Sequence, residues 1–392
     1  MSVHRRSAIC REGYQYLLLM AFTFALAMIV EANLMFVVAG LLCGPLLLNW
    51  RWAVKALRRV DLRRRAPATV TAGEPLVVEI GLSNSRKRFG SWALRVRDQV
   101  CRADDSRPEK LLGPEVFFPR LRPGESRRLT YRGCLPQRGR YRLGPAKVST
   151  RFPFGLVKRI LTFSGSHDLT VLPRLGRLMP AWTVRHAEDI EGWQGGLRPT
   201  RAPGDFFGVR EWESGDSVRW VHWRSTARHG RLAVCQFEKP RRRDIVLLVD
   251  LWQPREPDQD HLDNVELAVS FAATVVAELC ARPGGSVVVG ITGPTPVCVS
   301  GPASASLRQD VMDTLAVAQA SDGDNLPALF ENVMHQVAHG TRIWLVSTRD
   351  NDLEDECRFP GLRAGRHRQL AASGICAINT ASPDFSEYFR AD

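Results

Sequence analysis

The stretch that decides the fold is residues 204–250, which read GDFFGVREWESGDSVRWVHWRSTARHGRLAVCQFEKPRRRDIVLLVD. Its end, residues 245–249, is an unbroken run of β-branched residues and leucines, which is typical of a central parallel strand covered on both faces. Asp250 follows this run directly. Because open α/β sheets bind ligands at the carboxyl ends of their strands, we take Asp250 as a candidate site residue.

Strands and helices alternate over residues 241–392, which predicts a doubly wound α/β domain. An apolar stripe typical of an amphipathic helix follows the first strand. Two further helices are predicted at residues 304–319 and 326–339. The remaining buried runs predict strands at residues 286–291, 297–299, 342–347 and 375–379.

Residues 66–175 contain short runs of alternating polarity instead. Val78, Ile80 and Leu82, for example, alternate with polar or small residues, and turn signals separate the runs. This pattern predicts an all-β module, a small sandwich of immunoglobulin-like character without a catalytic grouping. Residues 176–240 then form a signature segment and linker to the α/β domain.

Two apolar segments, residues 14–30 and 34–50, lie near the N-terminus. Each has 17 residues, and a helix of that length spans about 26 Å, close to the roughly 30 Å hydrocarbon core of a bilayer. Lys and Arg lie at both outer flanks and are absent from the three-residue tip, so the positive-inside rule predicts a membrane hairpin over residues 1–65 with the bulk of the chain cytoplasmic. The alternative is a signal peptide cleaved after Ala25-Leu26-Ala27. Residues 34–50 would then act as a stop-transfer segment, and the bulk of the chain would still lie in the cytoplasm.

The basic excess of the chain is concentrated at that end. Ten Lys or Arg against three Asp or Glu in residues 1–65 supply seven of the net charge of +13. The small remainder is a weak basis for nucleic-acid binding. The nine cysteines include no Cys-x-x-Cys pair and no Cys/His grouping at zinc spacing, which fits small buried thiols in a reducing compartment.

A pattern of glycine, acidic, arginine and tryptophan positions resembles the signature of a large bacterial family, domain-of-unknown-function family 58. The resemblance implies a membrane-anchored protein with a β-sandwich and a doubly wound von Willebrand factor type A-like domain, whose antiparallel edge the strand at residues 297–299 would form. It also implies a MoxR-type AAA+ ATPase as partner, because genes of the two families commonly lie together. The positions that carry it are residues 208–211 and 214–216, Arg219, Trp223, Ala227, Arg228 and Leu232.

In that domain type, the resemblance implies a metal-ion-dependent adhesion site. Such a site contains an Asp-x-Ser-x-Ser motif, a Thr and a further Asp, whose oxygens suit Mg²⁺. The chain keeps Asp250 but has Trp252 and Pro254 in place of the two serines. Asp324 stands near the position expected for the Thr. We therefore favour a degenerate, metal-free site that holds no cofactor.

A rebuilt magnesium site is the alternative. The last ligand position of the adhesion site falls at Thr348 or Asp350. Acidic residues ahead of a helix are also frequent caps and dipole partners, a role that fits Asp260 or Asp263. The carboxylates that could hold a hard cation without serines are those of Asp250, Asp258, Asp260, Asp263, Asp324 and Asp350.

Tryptophans alternate with arginines over residues 210–228. Bases of single-stranded nucleic acid could stack on such residues. We favour Val218 and Trp220 as core positions of a strand, with the arginines paired to nearby acidic residues. The same enrichment suits a protein-binding hot spot. The signature residues that we expect to support folding first and partner binding second are Arg210, Gly215, Asp216, Arg219, Trp223 and Arg228.

No phosphate-binding loop, zinc motif or nucleophile elbow occurs in the sequence, and His222 with Ser225 lacks the carboxylate that a catalytic triad needs. The sequence therefore favours a non-enzymatic interaction protein at the cell membrane. Two other classes stay open. A metal-dependent binding domain or hydrolase would use the carboxylates and require metal, whereas a nucleic-acid binder would lose affinity steeply with salt.

Overall fold

The computed structural model of the protein describes residues 3–30, 33–103, 113–185, 206–213, 216–237, 244–281, 285–334, 341–353, 355, 358–359 and 375–391. The chain divides into two compact units, Met1–Leu172 and Pro173–Asp392. Together they contain the apolar helices, the β sheets and the α/β layer that the sequence predicts.

Two apolar helices lie near the N-terminus, α1 (Arg11–Val30) and α2 (Asn33–Ala56). Both are long and apolar enough to cross a membrane, as predicted, and only 11% of each apolar window is buried. The helices contact each other, since the Tyr16 hydroxyl donates to the Leu42 carbonyl at 2.8 Å and the rings of Phe24 and Phe36 lie 6.1 Å apart. Their outward apolar surface is what helices in contact with lipid require.

The first unit also contains twelve strands among its described residues. They form three sheets around one apolar core, and along strands such as residues 75–84 and 139–143 alternate residues are buried, as the two-residue period requires. The strands are β1 (Val3–Ile9), β2 (Val60–Arg65), β3 (Thr69–Thr71), β4 (Pro75–Asn84), β5 (Ser91–Arg97), β6 (Val100–Arg102), β7 (Glu115–Leu121), β8 (Ser126–Cys134), β9 (Gly139–Leu143), β10 (Ala146–Thr150), β11 (Val157–Phe163) and β12 (His167–Leu172).

The three sheets have the strand orders β1-β11-β10-β5-β7, β3-β12-β9-β6 and β2-β4-β8. The sequence predicts a two-sheet, immunoglobulin-like sandwich, whereas the described strands form three sheets because β4 and β8 pair apart from the other two. Two strands within residues 1–65, which the sequence did not predict, extend these sheets. Strand β1 pairs with β11, and β2 pairs with β4. Only Val60 and Leu62 of the arginine-rich β2 are buried, so its alternation is too weak to predict a strand.

Asn49 joins helix α2 to the sheets. Its buried amide nitrogen donates to the Phe152 carbonyl at 3.1 Å. Its Oδ1 accepts the backbone N–H of Leu156 at 2.8 Å and of Val157 at 3.2 Å. A polar side chain in an apolar helix is thereby satisfied, and α2 and the β core form one unit.

The second unit contains small elements followed by an α/β layer. The small elements are β13 (Arg177–Leu178), α3 (Pro180–Arg185), β14 (Phe206–Glu211), a 3-10 helix (Val218–Trp220), α4 (Trp223–His229) and β15 (Ala233–Phe237). The α/β layer contains β16 (Ile245–Asp250), α5 (Gln259–Ala281), β17 (Ser286–Ile291), β18 (Val297–Pro302), α6 (Ala305–Val317), α7 (Leu326–Met334), β19 (Arg342–Ser347) and β20 (Ile375–Asn379), followed by a 3-10 helix (Pro383–Glu387) and β21 (Phe389–Arg390).

The sheet of this layer has the order β18-β17-β16-β19-β20. All neighbours are parallel except β18, which is an antiparallel edge. Every residue of β16 is buried, as its apolar run predicts. Helix α5 is also apolar and long enough to cross a membrane, but 61% of its apolar window is buried. We therefore describe it as a core helix of the α/β layer.

Trp182 of α3 lies N-terminal to the predicted domain boundary at residue 241. It is only 2% exposed. Its ring lies 5.3 Å from that of Trp344 on β19 and 5.1 Å from that of Phe271 on α5. The segment before the signature therefore contributes an aromatic side chain to the core of the α/β layer.

Candidate functional site

Asp250 lies where the carboxyl ends of three parallel strands meet, as the strand-end rule predicts. Its carboxylate is 2% exposed. It accepts hydrogen bonds from the hydroxyl of Ser347 at 2.9 Å and of Thr292 at 3.3 Å. The Asn351 amide nitrogen lies 3.3 Å from the same carboxylate. A buried charge is thus surrounded by donors, which is the condition for its stability.

The fourth donor to Asp250 is a cation. Arg349 Nε lies 3.2 Å from Asp250 Oδ2, and Arg349 Nη2 lies 2.6 Å from Asp324 Oδ1. The guanidinium carbon lies 5.1 Å from the centre of the Trp252 ring. Two of the carboxylates that we named as candidate ligands of the alternative magnesium site are therefore joined by a guanidinium that stacks on the tryptophan at the first serine position.

A second arginine completes this cluster. Arg358 donates to both oxygens of Asp324, with Nε at 2.7 Å and Nη2 at 2.9 Å. This two-point pairing lowers the pKa of Asp324, and the Arg349 hydrogen bond lowers it further. The same pairing raises the pKa of Arg358. Asp324 is therefore held as an anion between two cations.

Trp252 is itself fixed in place. Its indole nitrogen donates to the Asp322 carbonyl at 3.1 Å, and its backbone N–H donates to Thr348 Oγ1 at 3.1 Å. The Thr348 hydroxyl in turn donates to the Trp252 carbonyl at 2.6 Å. Thr348, one of the two residues predicted at the last ligand position, thus holds the backbone of Trp252.

The other predicted carboxylates lie in different settings. Asp350 accepts from the Asn379 amide at 2.5 Å. Asp258 accepts the backbone N–H of His261 at 2.9 Å, which lowers its pKa, and so it caps α5. We predicted Asp260 or Asp263 as a cap or dipole partner, and Asp260 does lie in the first turn of α5, where a carboxylate interacts favourably with the helix dipole. Asp263 instead accepts from Gln259 at 2.8 Å.

Within the described residues, no group of three or more His, Cys, Asp or Glu is arranged to hold a metal ion. The residues present do not fit the implied magnesium, because Trp252 and the Arg349 guanidinium contribute no oxygen ligands and the two carboxylates already pair with arginines. The sequence analysis missed Arg349 and Arg358. Arg349 lies two residues after β19, so the strand-end rule applied to that strand would have found it.

In the signature segment β14 and β15 pair as antiparallel strands. A 3-10 helix and α4 lie between them along the chain. Arg210 Nη2 lies 2.6 Å from Asp216 Oδ1. Asp216 also accepts the backbone N–H of Glu213 at 3.0 Å, and this bond, followed by that from Arg210, lowers the pKa of Asp216. The turn that we predicted at Gly215 and Asp216 is closed by the Asp216 N–H, which donates to the Glu213 carbonyl at 3.1 Å. Gly215 itself lies outside the described residues.

A 3-10 helix and the short helix α4 follow that turn. The prediction that Val218 and Trp220 are core positions of a strand is wrong, since both belong to the 3-10 helix and are 67% and 48% exposed. His222 caps α4, because its Nδ1 accepts the backbone N–H of Ser225 at 3.1 Å. Gly230 ends the helix in the left-handed region, with φ of +66°.

The exposed side of this segment is basic and aromatic. Trp223 is 65% exposed, which does not fit the structural role that we expected for it first. Arg219, Arg224 and Arg228 are exposed, and none has a carboxylate within ion-pair distance among the described residues. We call Trp223 with these three arginines the signature surface.

We call Asp250, Trp252, Asp324, Arg349 and Arg358 the strand-end cluster. This cluster and the signature surface both lie in a stretch that matches a known family. Residues 208–368 match protein of unknown function DUF58. The predicted resemblance is therefore supported over this region. No curated protein matches the chain.

Solved structures resemble the chain only distantly. The CARDB domain of a Pyrococcus furiosus protein is 16% identical, with 29% of this chain and 87% of that chain covered and a TM-score of 0.20. A β-glucosidase from Listeria innocua is 18% identical, with 29% and 16% covered and a TM-score of 0.22. A β-glucosidase from Erythrobacter marinus is 14% identical, with 29% and 15% covered and a TM-score of 0.21. At these TM-scores the likenesses carry no argument about function.

Proposed function

We propose that the protein is a membrane-anchored, non-enzymatic adaptor whose α/β domain binds a protein partner without a metal ion. The observation that carries this proposal is the Arg349 guanidinium, which pairs with Asp250 and Asp324 at 3.2 Å and 2.6 Å. An adhesion site needs an open cation position that a partner's carboxylate can complete. Here a side chain of the chain itself supplies the positive charge, so the site is a degenerate one.

The α/β domain is proposed to be von Willebrand factor type A-like. The sheet order, with β16 between β17 and β19 and an antiparallel β18 at one edge, supports this assignment. The match of residues 208–368 to DUF58 agrees with the resemblance that suggested it. In such a domain the end of β16 is the working face, and in this chain that face contains paired charges.

The metal-dependent hydrolase is less well supported. It requires several carboxylates that are free to bind one cation. Asp324 pairs with two arginines, Asp258 caps α5, and Asp350 accepts from Asn379. Each of these contacts would have to break before the carboxylates could share an ion.

The signature surface is the proposed partner-binding site. Arg219, Arg224 and Arg228 pair with no carboxylate of the described residues, which favours an acidic protein surface as partner. The exposed Trp223 supplies the aromatic contact that is common in binding hot spots. The resemblance to the family makes a MoxR-type AAA+ ATPase the proposed partner. A nucleic acid remains the alternative ligand, and a steep fall of affinity with salt would identify it.

The experiment is crosslinking of the full chain in its own membranes, followed by recovery of the MoxR-type ATPase with and without a metal chelator. We expect equal recovery in both conditions and loss of recovery in Trp223→Ala with Arg228→Ala. Leu262→Ala, an exposed apolar residue on α5 at 43% exposure, is the matched control and should retain the ATPase. Recovery that depends on metal, or that survives the double substitution, would refute the proposal.

The proposed topology has both termini in the cytoplasm. Helices α1 and α2 are long and apolar enough to span a membrane, and basic residues flank their outer ends. Reporter fusions after Arg11 and at Asp392 should both report a cytoplasmic location. A periplasmic signal at Asp392 would contradict this arrangement.

A further inference from the structure

A basic cleft lies beside the last turns of helix α2, within the first unit. Its volume is about 260 Å³. Five cationic side chains line it, and no carboxylate does: they are those of Arg5, Arg51, Lys55, Arg58 and Arg159. Such a cleft, defined by these five residues, has the electrostatics of an anion-binding site.

Three elements bring these charges together. Arg51 and Lys55 are four residues apart and lie on one face at the end of α2. Arg58 follows in the turn after the helix, where its backbone N–H donates to the Lys55 carbonyl at 3.2 Å. Arg5 comes from β1 and Arg159 from β11, and these two strands pair. The Arg159 guanidinium also donates to the Ser7 hydroxyl. The cleft therefore depends on the N-terminal strand β1 as well as on the helix.

The cations of this cleft have no acidic partner in the part of the chain that the structure describes, and the Lys55 ammonium lies 5.5 Å from the centre of the Phe89 ring. No carboxylate of the described chain lies within ion-pair distance of any of the five side chains. A second basic cleft on the same unit differs in this respect, because Glu115 pairs with its Arg95 at 3.3 Å and with its Arg97 at 3.0 Å. Like charges in a partly desolvated space repel each other, and a bound anion would relieve that repulsion.

The position of the cleft on the helix indicates where the anion comes from. Trp50, which also lines the cleft, is 52% exposed, and Leu47 one turn earlier is 58% exposed. Apolar side chains, a tryptophan and then arginines follow one another along the exposed face of α2, which is the order from bilayer core to headgroup region. A lipid with its acyl chains against Leu47 would place its phosphate beside Arg51.

We propose that this cleft binds the phosphate of an anionic phospholipid, which fixes β1 and the β core to the end of the membrane helix. The chemistry recognised is a phosphate group carrying net negative charge. A soluble phosphate offers the same chemistry, so the test separates the two sources. Zwitterionic phosphatidylcholine offers a phosphate whose charge is balanced and should bind more weakly.

The experiment is native mass spectrometry of the full chain in non-ionic detergent, titrated with phosphatidylglycerol or phosphatidylcholine. We expect a preference for phosphatidylglycerol of about tenfold or more. Arg51→Gln with Arg58→Gln should lower this preference to about twofold or less. Arg51→Lys with Arg58→Lys keeps the charges and should keep most of the preference, which guards against an effect of misfolding.

The matched control is Arg127→Gln with Arg132→Gln, which removes two exposed arginines of strand β8 and should leave the preference unchanged. Equal retention of the two lipids by the unmodified chain would overturn the proposal. So would an unchanged preference in Arg51→Gln with Arg58→Gln. Displacement of phosphatidylglycerol by millimolar inorganic phosphate would assign the cleft to a soluble anion and would overturn the lipid as its occupant.

Discussion

The strand-end cluster and the signature surface are both rich in arginine, but they differ in what surrounds the guanidinium groups. At the strand end, Arg349 is 21% exposed at its side chain and bridges Asp250 and Asp324. On the signature surface, Arg219 and Arg228 are exposed and have no carboxylate partner among the described residues. Paired charges with little exposure fix a structure, whereas exposed charges without partners remain available to bind another molecule.

This difference in pairing indicates which of the two regions is available to bind a partner. Ligands of α/β sheets commonly bind at the carboxyl end of a central strand. In this chain Asp250 and Asp324 pair with arginines of the same domain, whereas the signature surface of that domain carries arginines that remain available to a partner. Removal of a residue from the first region should therefore affect stability, and removal from the second should affect binding.

The largest effect is expected for Asp250→Ala. The substitution leaves Ser347, Thr292 and the Arg349 guanidinium without their buried acceptor. Loss of one partner from a buried charge pair costs about 3 to 5 kcal/mol in the free energy of unfolding. Chemical denaturation of the full chain in detergent should measure this loss. A cost under about 1 kcal/mol would mean that the cluster does not stabilise the strand end.

A smaller effect is expected for Arg349→Lys. Lysine keeps the positive charge but cannot present two fixed N–H groups to Asp250 and Asp324 at once. The expected loss in the free energy of unfolding is about 1 to 2 kcal/mol. Arg308→Lys, at an exposed position of α6, is the control and should change stability by less than about 0.5 kcal/mol. Equal effects of the two substitutions would contradict a bridging role for Arg349.

The pH dependence of stability offers a third test. Pairing with Arg358 and Arg349 lowers the pKa of Asp324 in the folded protein. The stabilisation is therefore complete above the unfolded-state value of about 3.9 and is lost as the pH falls toward the folded-state pKa. The difference in melting temperature between the unmodified chain and Asp324→Asn should be largest near neutral pH and should narrow below about pH 4. A difference that does not change with pH would contradict the pairing.

The strands of the α/β layer could be predicted from the sequence because each is a continuous apolar run. Such a run is visible within a few neighbouring residues. The strands at residues 286–291, 342–347 and 375–379 begin and end where predicted. Strands β1 and β2 were missed because their stabilisation comes from pairing with β11 and β4, far away along the chain. The β-propensity of a few neighbouring residues carries no information on a pairing strand that is distant in the sequence.

The same limit applies to the candidate site. Asp250 could be predicted as a site residue because it ends the apolar run of β16. The loss of the two serines could be read directly from Trp252 and Pro254. The strand-end rule could also have found Arg349 but not its pairing with Asp250 and Asp324, because this pairing joins segments that meet only in the folded chain. Val218 and Trp220 were misplaced for a related reason. Their alternation resembles a buried strand, but the chain forms a 3-10 helix with these side chains outward.

The smallest effect on stability is expected for Trp223→Ala. The side chain is 65% exposed, so its truncation should change the free energy of unfolding by no more than about 0.5 kcal/mol. Thermal unfolding of the full chain measures this change, and recovery of the ATPase from membranes measures binding. A large loss of stability would show that Trp223 belongs to the folded core and would weaken its assignment to the signature surface.

The central claim is that a guanidinium, and not a metal ion, joins the carboxylates at the end of β16. Thermal unfolding of the full chain in detergent with millimolar Mg²⁺, Ca²⁺ or Mn²⁺ tests it most directly, because a ligand that binds only the folded state must raise the melting temperature. We predict the same melting temperature with each metal and with a chelator. A rise with metal that disappears in both Asp250→Asn and Asp324→Asn would contradict the claim and would make the carboxylates a metal site.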